Sequence, residues 1–439
     1  MFSKTVNNDP EQEAKKKSRV YSFQYKFDPN RRFKCSVNGN PPNLDLLWPI
    51  YQMNQLKTSI QSTRTLAAFV FSALVFFQMH SFSARAQSPI TEDRILADSM
   101  KKAVEHLYNF QFEKSESCLK RYRPKYNNHP GFLLYGALTT YFKHFPVSAN
   151  SKIYQAFINT LNQVVALGEK MSHKYPKSPE PDYYQMTANL MLAKHHSEEG
   201  EYIKAVNETR KAFVFIKRGF EYQKSYPDFY LATGLYNYFR VVYPENHPIY
   251  KPFTIFFPDG NKSVGLKELE LAAQKSLFSK AEALMFLSLI HLREEYNPTA
   301  SAKYSVQLFE NYPNNWLFQM LHAEVLIETK KMDQAEPLVS TLLMRTETLA
   351  LLAGYYMKGL QEVANNKPDA AKWAFHKALS ISSKNKDKLS LGYKGLAYNE
   401  LGKIAYAEGK RDWVKKYFKQ ALDLAAFKKI RQDSKRCGY

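Results

Sequence analysis

Pairs of small residues twelve positions apart recur along most of this chain, and they restrict its fold more than any other feature. The first members of the five clearest pairs are Ala193, Ser288, Ala323, Gly359 and Gly402. Each second member opens a unit with intervals of four and three residues: Ala205/Thr209/Ala212, Ala300/Tyr304/Gln307, Ala335/Val339/Leu342, Ala371/Phe375/Ala378 and Val414/Phe418/Ala421. Because two antiparallel helices pack closely only where small side chains occupy their crossing, this spacing predicts repeated helix pairs.

The units also recur at a nearly constant distance. Steps of 35, 35 and 36 residues separate the units that begin at Gly265, Ala300, Ala335 and Ala371. A period of this length is the signature of a solenoid. Each helix pair leaves an apolar face that only the next pair can cover, so the repeats stack into a one-dimensional array.

Residues suited to tight turns lie between the two halves of several repeats. Gly200, Asn366 and Gly409 occupy this position, where a left-handed backbone favours Gly or Asn. The chain has only 16 glycines and lacks extended runs of alternating β-branched residues, which argues against a β-sheet protein. We therefore expect an all-α, right-handed solenoid of about eight antiparallel helix pairs. Gln307 departs from the pattern, because it stands where a small residue is expected.

Leu401, Gly402, Gly409, Phe418 and Ala421 match most closely the pattern of the tetratricopeptide-repeat superfamily, which this chain resembles over roughly residues 91–430. The resemblance, of a bacterial exported type, implies the solenoid fold and a role as a binding scaffold. It also implies that the first helix of each pair lines a concave groove. It assigns no partner, because one fold serves many functions.

A short hydrophobic run near the N-terminus predicts export. The run from Leu66 to Phe77 follows Lys57 and Arg64 and precedes Ala84-Arg85-Ala86, as in a secretory signal peptide. Met53 stands at the usual place of an initiator, which places the signal at 53–86 and the mature N-terminus at Gln87. The alternative is an uncleaved inner-membrane anchor over 66–82. We expect the periplasm or cell envelope as the location.

Four segments follow from these patterns. Residues 1–52 are interpreted as a disordered or spurious extension, 53–86 as a signal peptide or anchor, 87–430 as the solenoid, and 431–439 as a basic tail. Cys118 is expected to be a buried free thiol and Cys437 an exposed one, because the ends of a stacked array lie apart.

The sequence offers little that resembles an active site. His195, His196, Glu198 and Glu199 are the nearest approach to a metal cluster, yet they lack the spacing that places two imidazoles on one helix face. We interpret them as a solvated helix end. Nucleophile elbows, paired cysteine motifs and phosphate-binding glycine loops are also missing from the sequence. The expectation is a protein without catalytic residues, cofactor or metal.

Two regions are candidates for partner binding. Residues one turn from the small positions of the first helices should line the groove, and they form a mostly apolar set: Leu231, Leu235, Met285, Leu289, Met320, Tyr356 and Leu360. The insertion at 243–260 combines four prolines, which argue against a helix, with several aromatic residues. Its candidate contacts are Tyr250, Phe253, Phe256 and Phe257.

The most consistent function is a non-enzymatic protein-binding scaffold of the bacterial cell envelope that holds an apolar or helical segment in its groove. The net charge is +21, of which residues 87–439 carry +14 from 50 basic and 36 acidic residues, and this excess supports an alternative, a peripheral binder of anionic lipid or polysaccharide surfaces. Nucleic acid is not an expected partner, because the basic residues are scattered and no nucleic-acid-binding motif accompanies them.

Overall fold

A computed structural model describes residues 88–146, 151–246, 257–383, 385, 387–424 and 427–439. The described residues belong to one compact unit. The described residues form eighteen α-helices: α1 (Arg94–Tyr108), α2 (Phe112–Leu119), α3 (Arg123–Tyr126), α4 (Pro130–Lys143), α5 (Lys152–Lys174), α6 (Glu180–Glu198), α7 (Tyr202–Tyr222), α8 (Phe229–Asn246), α9 (Lys262–Lys275), α10 (Lys280–Leu289), α11 (Pro298–Asn311), α12 (Trp316–Glu328), α13 (Met332–Leu343), α14 (Thr348–Ala364), α15 (Pro368–Ile381), α16 (Lys388–Ala407), α17 (Arg411–Leu424) and α18 (Lys428–Arg436).

The fold is an all-α solenoid, as the sequence predicts. The helices form eight consecutive pairs, α1–α2, α4–α5, α6–α7, α8–α9, α10–α11, α12–α13, α14–α15 and α16–α17, with α18 after the last. The two helices of a pair pack on each other, and from the second pair onward each pair packs on the next. The first pair contacts the second through the hydroxyls of Ser115 and Tyr135, which lie 2.7 Å apart. The described residues contain no β-strand.

The small residues lie at the helix crossings, as predicted from their spacing. A Cβ atom at Gly359 would clash with the ring of Phe375, and one at Gly402 would lie 3.0 Å from the ring of Phe418. In the first pair, the Ser115 hydroxyl donates a 2.5 Å hydrogen bond to the carbonyl of Ala103, twelve residues earlier. The recurring pattern therefore records the places where two helix backbones approach most closely.

The register predicted for the fifth pair is wrong by one residue. A π-helical turn at Ile290–Glu294 follows α10 and accommodates an extra residue before α11. Ser288 consequently faces Ser301, at 2.8 Å between the hydroxyls, and not Ala300. Gln307 therefore does not occupy a small-residue position, because the buried residue of that turn is Leu308.

The turns within the pairs contain left-handed residues. Gly200, Asn366 and Gly409 have φ angles of 76°, 56° and 71°, which confirms their prediction as turn residues. Lys330, with φ of 65°, and Tyr296, with φ of 54°, serve the same purpose in other pairs. No sequence signal identified these two, since neither residue type favours the left-handed region.

The C-terminal segment is folded. Most of the predicted basic tail belongs to α18, whose Ile430 is buried. The helix returns the chain to the last pair, so Cys437 is buried near Ala405, Val414 and Phe418. The expectation of an exposed Cys437 is wrong for this reason. Cys118 is half-buried and free.

The start of the predicted insertion is helical. Helix α8 extends to Asn246 and includes Pro244, contrary to the expectation that the prolines forbid a helix. Pro244 has no N–H to donate and lies in the last turn of the helix, which ends two residues later. The predicted extension at 1–52, the signal or anchor at 53–86 with its hydrophobic run, and Tyr250, Phe253 and Phe256 lie outside the described residues. None of the described helices is both long and apolar enough to span a bilayer.

Candidate interaction surfaces

The first helices of the pairs line the inner face of the solenoid. Several successive first helices touch one another, among them α4 with α6, α12 with α14, and α14 with α16. Nearly every residue of α12 from Met320 to Ile327 is buried, so this helix is covered on all sides. A first helix buried all round requires something on the inner face to cover it.

The predicted groove residues divide into two groups. Leu231, Leu235, Met285, Leu289 and Leu360 are half-buried in the apolar core. Met320 and Tyr356 are only 5% and 0% exposed, so their side chains do not reach a surface where a partner could bind. The described groove is thus partly filled by the protein itself.

Helix α18 is one of the elements that fills the groove. The ammonium of Lys429 lies 2.8 Å from a carboxylate oxygen of Glu328, at the end of α12. The amide of Asn399, in α16, donates a 2.8 Å hydrogen bond to Asp433 of α18. The guanidinium of Arg293 lies 5.3 Å from the ring centre of Phe427, just before α18. The C-terminal helix therefore bridges first-helix elements of the fifth, sixth and eighth pairs.

The N-terminal pairs cover another part of the inner face. The ring of Tyr108 stacks on Phe318, with 6.4 Å between ring centres. The Asn315 side chain donates a 2.7 Å hydrogen bond to the carbonyl of Tyr108. Lys388, at the start of α16, lies 2.9 Å from the hydroxyl of Ser197, near the end of α6. Pairs far apart in sequence thus contact one another.

A buried ion pair lies beneath α18. Arg293 is 2.6 Å from Glu324, and Tyr393 donates a 2.9 Å hydrogen bond to the same carboxylate. Burial alone would lower the pKa of Arg293, but the attraction of Glu324 outweighs it, and the pKa is raised. The hydroxyl of Tyr356 is fully buried and has no hydrogen-bond partner among the described residues. A fixed positive charge therefore lies directly under the aromatic ring that precedes α18.

Glu282 is an acid in an unusual environment on α10. Its pKa is raised to about 7, mainly by burial and also by the charge of Asp228, whereas a hydrogen bond from Tyr108 opposes the increase. The group therefore changes its charge near neutral pH at the contact between α1 and α10. A carboxyl group that titrates near neutral pH is a feature of many active sites, but such groups also occur in structural contacts.

The predicted solvated helix end at the end of α6 is wrong for His195, whereas His196 and Glu198 are half-buried and Glu199 is exposed. His195 is buried, with the rings of Phe157, Tyr154 and Tyr141 within 6.3 Å of its ring centre. Its pKa is lowered to about 4, mainly by burial and also by the charges of Lys194 and His196. His196 instead pairs with Glu201 at 2.7 Å. In the described residues no group of His, Cys, Asp and Glu is placed to hold a metal ion.

The end of the insertion packs on its own solenoid. Phe257 meets Phe213 of α7 edge to face, with 5.2 Å between ring centres, and its carbonyl accepts a hydrogen bond from Arg240. Tyr236 donates a hydrogen bond to the carbonyl of Pro258. Phe257 is half-buried as a result.

Comparison with known proteins gives structural similarity only. The sequence matches no established family, and no curated protein is detectably similar to it. Among solved structures, the chain is similar to yeast Tom70, with 11% identity, coverage of 85% of this chain and 78% of that chain, and a TM-score of 0.37. It is also similar to the human IFIT1 dimer with PPP-AAAA, with 16% identity, coverage of 83% and 84%, and a TM-score of 0.34.

The eight stacked helix pairs and their 35-residue period define the architecture without these comparisons. The described chain is a tetratricopeptide-like helical solenoid. The likeness to the solved structures is too low to transfer a ligand or an activity to this protein.

Proposed function

We propose that this protein is a non-enzymatic scaffold of the bacterial cell envelope that binds a helical segment of another protein on its inner face. The observation that carries the proposal is the docking of α18 there, through Lys429 on Glu328, Asp433 on Asn399 and the ring of Phe427 over Arg293. A surface that holds an amphipathic helix in this way has the features of helix-in-groove recognition, with apolar anchors and flanking charges.

The same surface continues beyond α18. Met285 and Leu289 lie one turn apart on α10, and the π-helical turn that follows carries Arg293. Both apolar side chains are half-buried and so retain some exposed area. A partner helix that offers apolar residues to Met285 and Leu289 and a lysine to Glu328 would match these side chains.

The envelope location is part of the proposal and rests on the signal-like segment at 53–86. Its test is the N-terminal residue of the native protein from fractionated cells. A start at Gln87 in a periplasmic or envelope fraction supports export. A start at Met1 in the cytoplasm contradicts it.

The groove is tested by crosslinking in the envelope fraction. The variant Lys429→Glu places a negative charge opposite Glu328 and should release α18, so recovery of the crosslinked partner should rise. Adding Leu289→Lys to this variant should abolish the gain, whereas adding Ile203→Lys, at an exposed position of α7, should not. Equal recovery with all three proteins would contradict groove binding.

A further inference from the structure

Helices α15 and α17 are the second helices of the last two pairs, and together they present aromatic and basic side chains on the outer surface. We define the aromatic-basic face by its exposed or half-buried side chains: Trp373, His376, Lys377, Trp413, Lys415, Lys416, Tyr417 and Lys419. None of these residues takes part in the inner groove or in the contacts of α18 described above.

The face is continuous across the two helices. The imidazole of His376 lies 3.4 Å from the hydroxyl of Tyr417, and Tyr417 packs against Trp413 with 5.4 Å between ring centres. Lys372 of α15 pairs with Glu408, just before α17, at 2.7 Å. These contacts hold the two helices side by side, so the tryptophans belong to one surface.

The two tryptophans are unusually exposed. Trp373 is 61% exposed and Trp413 47% exposed, whereas Trp316 is buried in the core. An isolated exposed apolar side chain needs no explanation, but two indoles on one surface suggest a binding partner. Tyr406, at the end of α16, is also largely exposed.

The charges around the indoles are mostly positive. Lys377, Lys415, Lys416 and Lys419 are exposed, and none has an acidic partner among the described residues. Two nearby acids are already neutralised, because Asp369 pairs with Lys372 and Glu408 pairs with both Lys372 and Lys410. Asp412 and Asp423 are exposed acids on α17.

We propose that the aromatic-basic face docks on an anionic phospholipid surface. Tryptophan and tyrosine prefer the boundary between lipid headgroups and acyl chains, and lysines next to them attract anionic headgroups. The face is an outer helical surface with indoles and lysines side by side, as this mode of binding requires. The proposal is independent of helix binding in the groove.

The ring packing favours lipid over nucleic acid. One face of Trp413 carries the ammonium of Lys416 at 4.5 Å, and Tyr417 packs beside it. A nucleic-acid base needs an open aromatic face for stacking. Insertion between lipid headgroups needs only that part of the indole is exposed, and Trp413 is 47% exposed.

The test is co-sedimentation of the full chain with phosphatidylcholine vesicles that contain or lack about 30% phosphatidylglycerol. We expect binding only to the anionic vesicles, with a blue shift of tryptophan emission. The pair Trp373→Ala and Trp413→Ala should weaken binding about tenfold, and so should the pair Lys415→Glu and Lys416→Glu.

Two control variants distinguish binding by the aromatic-basic face from effects of net charge or of exposed apolar area elsewhere on the protein. Lys101→Glu with Lys102→Glu makes the same charge change on α1, and Ile203→Ala removes an exposed apolar side chain from α7. Both should retain nearly full binding, and circular dichroism should show all variants folded. An equal loss with the α1 charge variant, full binding by the tryptophan variant, or binding to a single-stranded oligonucleotide but not to vesicles would each overturn the proposal.

Discussion

Lys429 of α18 and Glu328 of α12 form an ion pair across the inner face, with 2.8 Å between the ammonium and the carboxylate. Burial would shift each group toward its neutral form, but their mutual attraction dominates. It lowers the pKa of Glu328 and raises the pKa of Lys429. Both residues therefore stay charged at neutral pH, and the pair fixes the position of the C-terminal helix.

Reversing one charge of this pair should release α18. With Glu328→Lys, two ammonium groups face each other, and we expect amide exchange in α18 to become at least about tenfold faster. The measurement is hydrogen exchange followed by mass spectrometry. The double variant Glu328→Lys with Lys429→Glu restores opposite charges and should recover most of the protection. Failure of the double variant to recover it would show that the pair does not hold the helix.

Helix crossings should be intolerant of added volume. Gly359→Ala places a methyl group into the ring of Phe375 and should destabilise the protein by about 1–3 kcal/mol. Gly136→Ala on α4 is the matched control, because no atom outside its own helix surroundings lies within 4 Å of the added Cβ. This control should be neutral or stabilise by up to about 1 kcal/mol. Urea unfolding measures both, and equal effects would contradict the close approach at Gly359.

The stability should depend on pH through Glu282. Its pKa rises from the ordinary 4.5 to about 7 in the folded protein, so its contribution is fully present below about pH 4.5 and is lost as the pH rises through 7. Glu282→Gln removes this dependence. Between pH 5 and 8 the stability of the natural protein should fall by up to about 3 kcal/mol relative to the variant.

Urea titrations of both proteins at several pH values give this difference directly. Glu310→Gln, at an exposed position of α11, is the control and should leave the pH profile unchanged. Parallel profiles for the natural protein and Glu282→Gln would show that Glu282 does not titrate near neutrality.

A glycine in the left-handed turn at Lys330 should stabilise the protein. Its φ of 65° is unfavourable for a residue with a Cβ, so Lys330→Gly should raise the free energy of unfolding by about 1 kcal/mol. Lys331→Gly is the neighbouring control, at a φ of −94°, and should destabilise the protein instead. Thermal unfolding compares the two, and a stabilising effect of both substitutions would contradict the assignment of strain to Lys330.

The helix pairs were predictable because close crossings require small residues at fixed places, as at Gly359 and Gly402. The register at Ser301 was not predictable, since a π-helical turn has no distinct sequence signature and shifts the pattern by one position. The sequence also did not predict that α18 occupies part of the groove. Nothing in the residues of α18 indicates that Lys429 meets Glu328, because this contact joins positions about a hundred residues apart.

Binding of the C-terminal helix in trans tests most directly whether the inner face is a receptor for a helical segment. The measurement is the fluorescence anisotropy of a labelled peptide with the sequence of residues 427–439, titrated with the full chain and with its Lys429→Glu variant. We predict at least about tenfold tighter binding to the variant, because in the natural protein α18 competes from within the same chain. Equal affinity for the two proteins, or equal binding of a peptide that carries Lys429→Glu, would contradict the account.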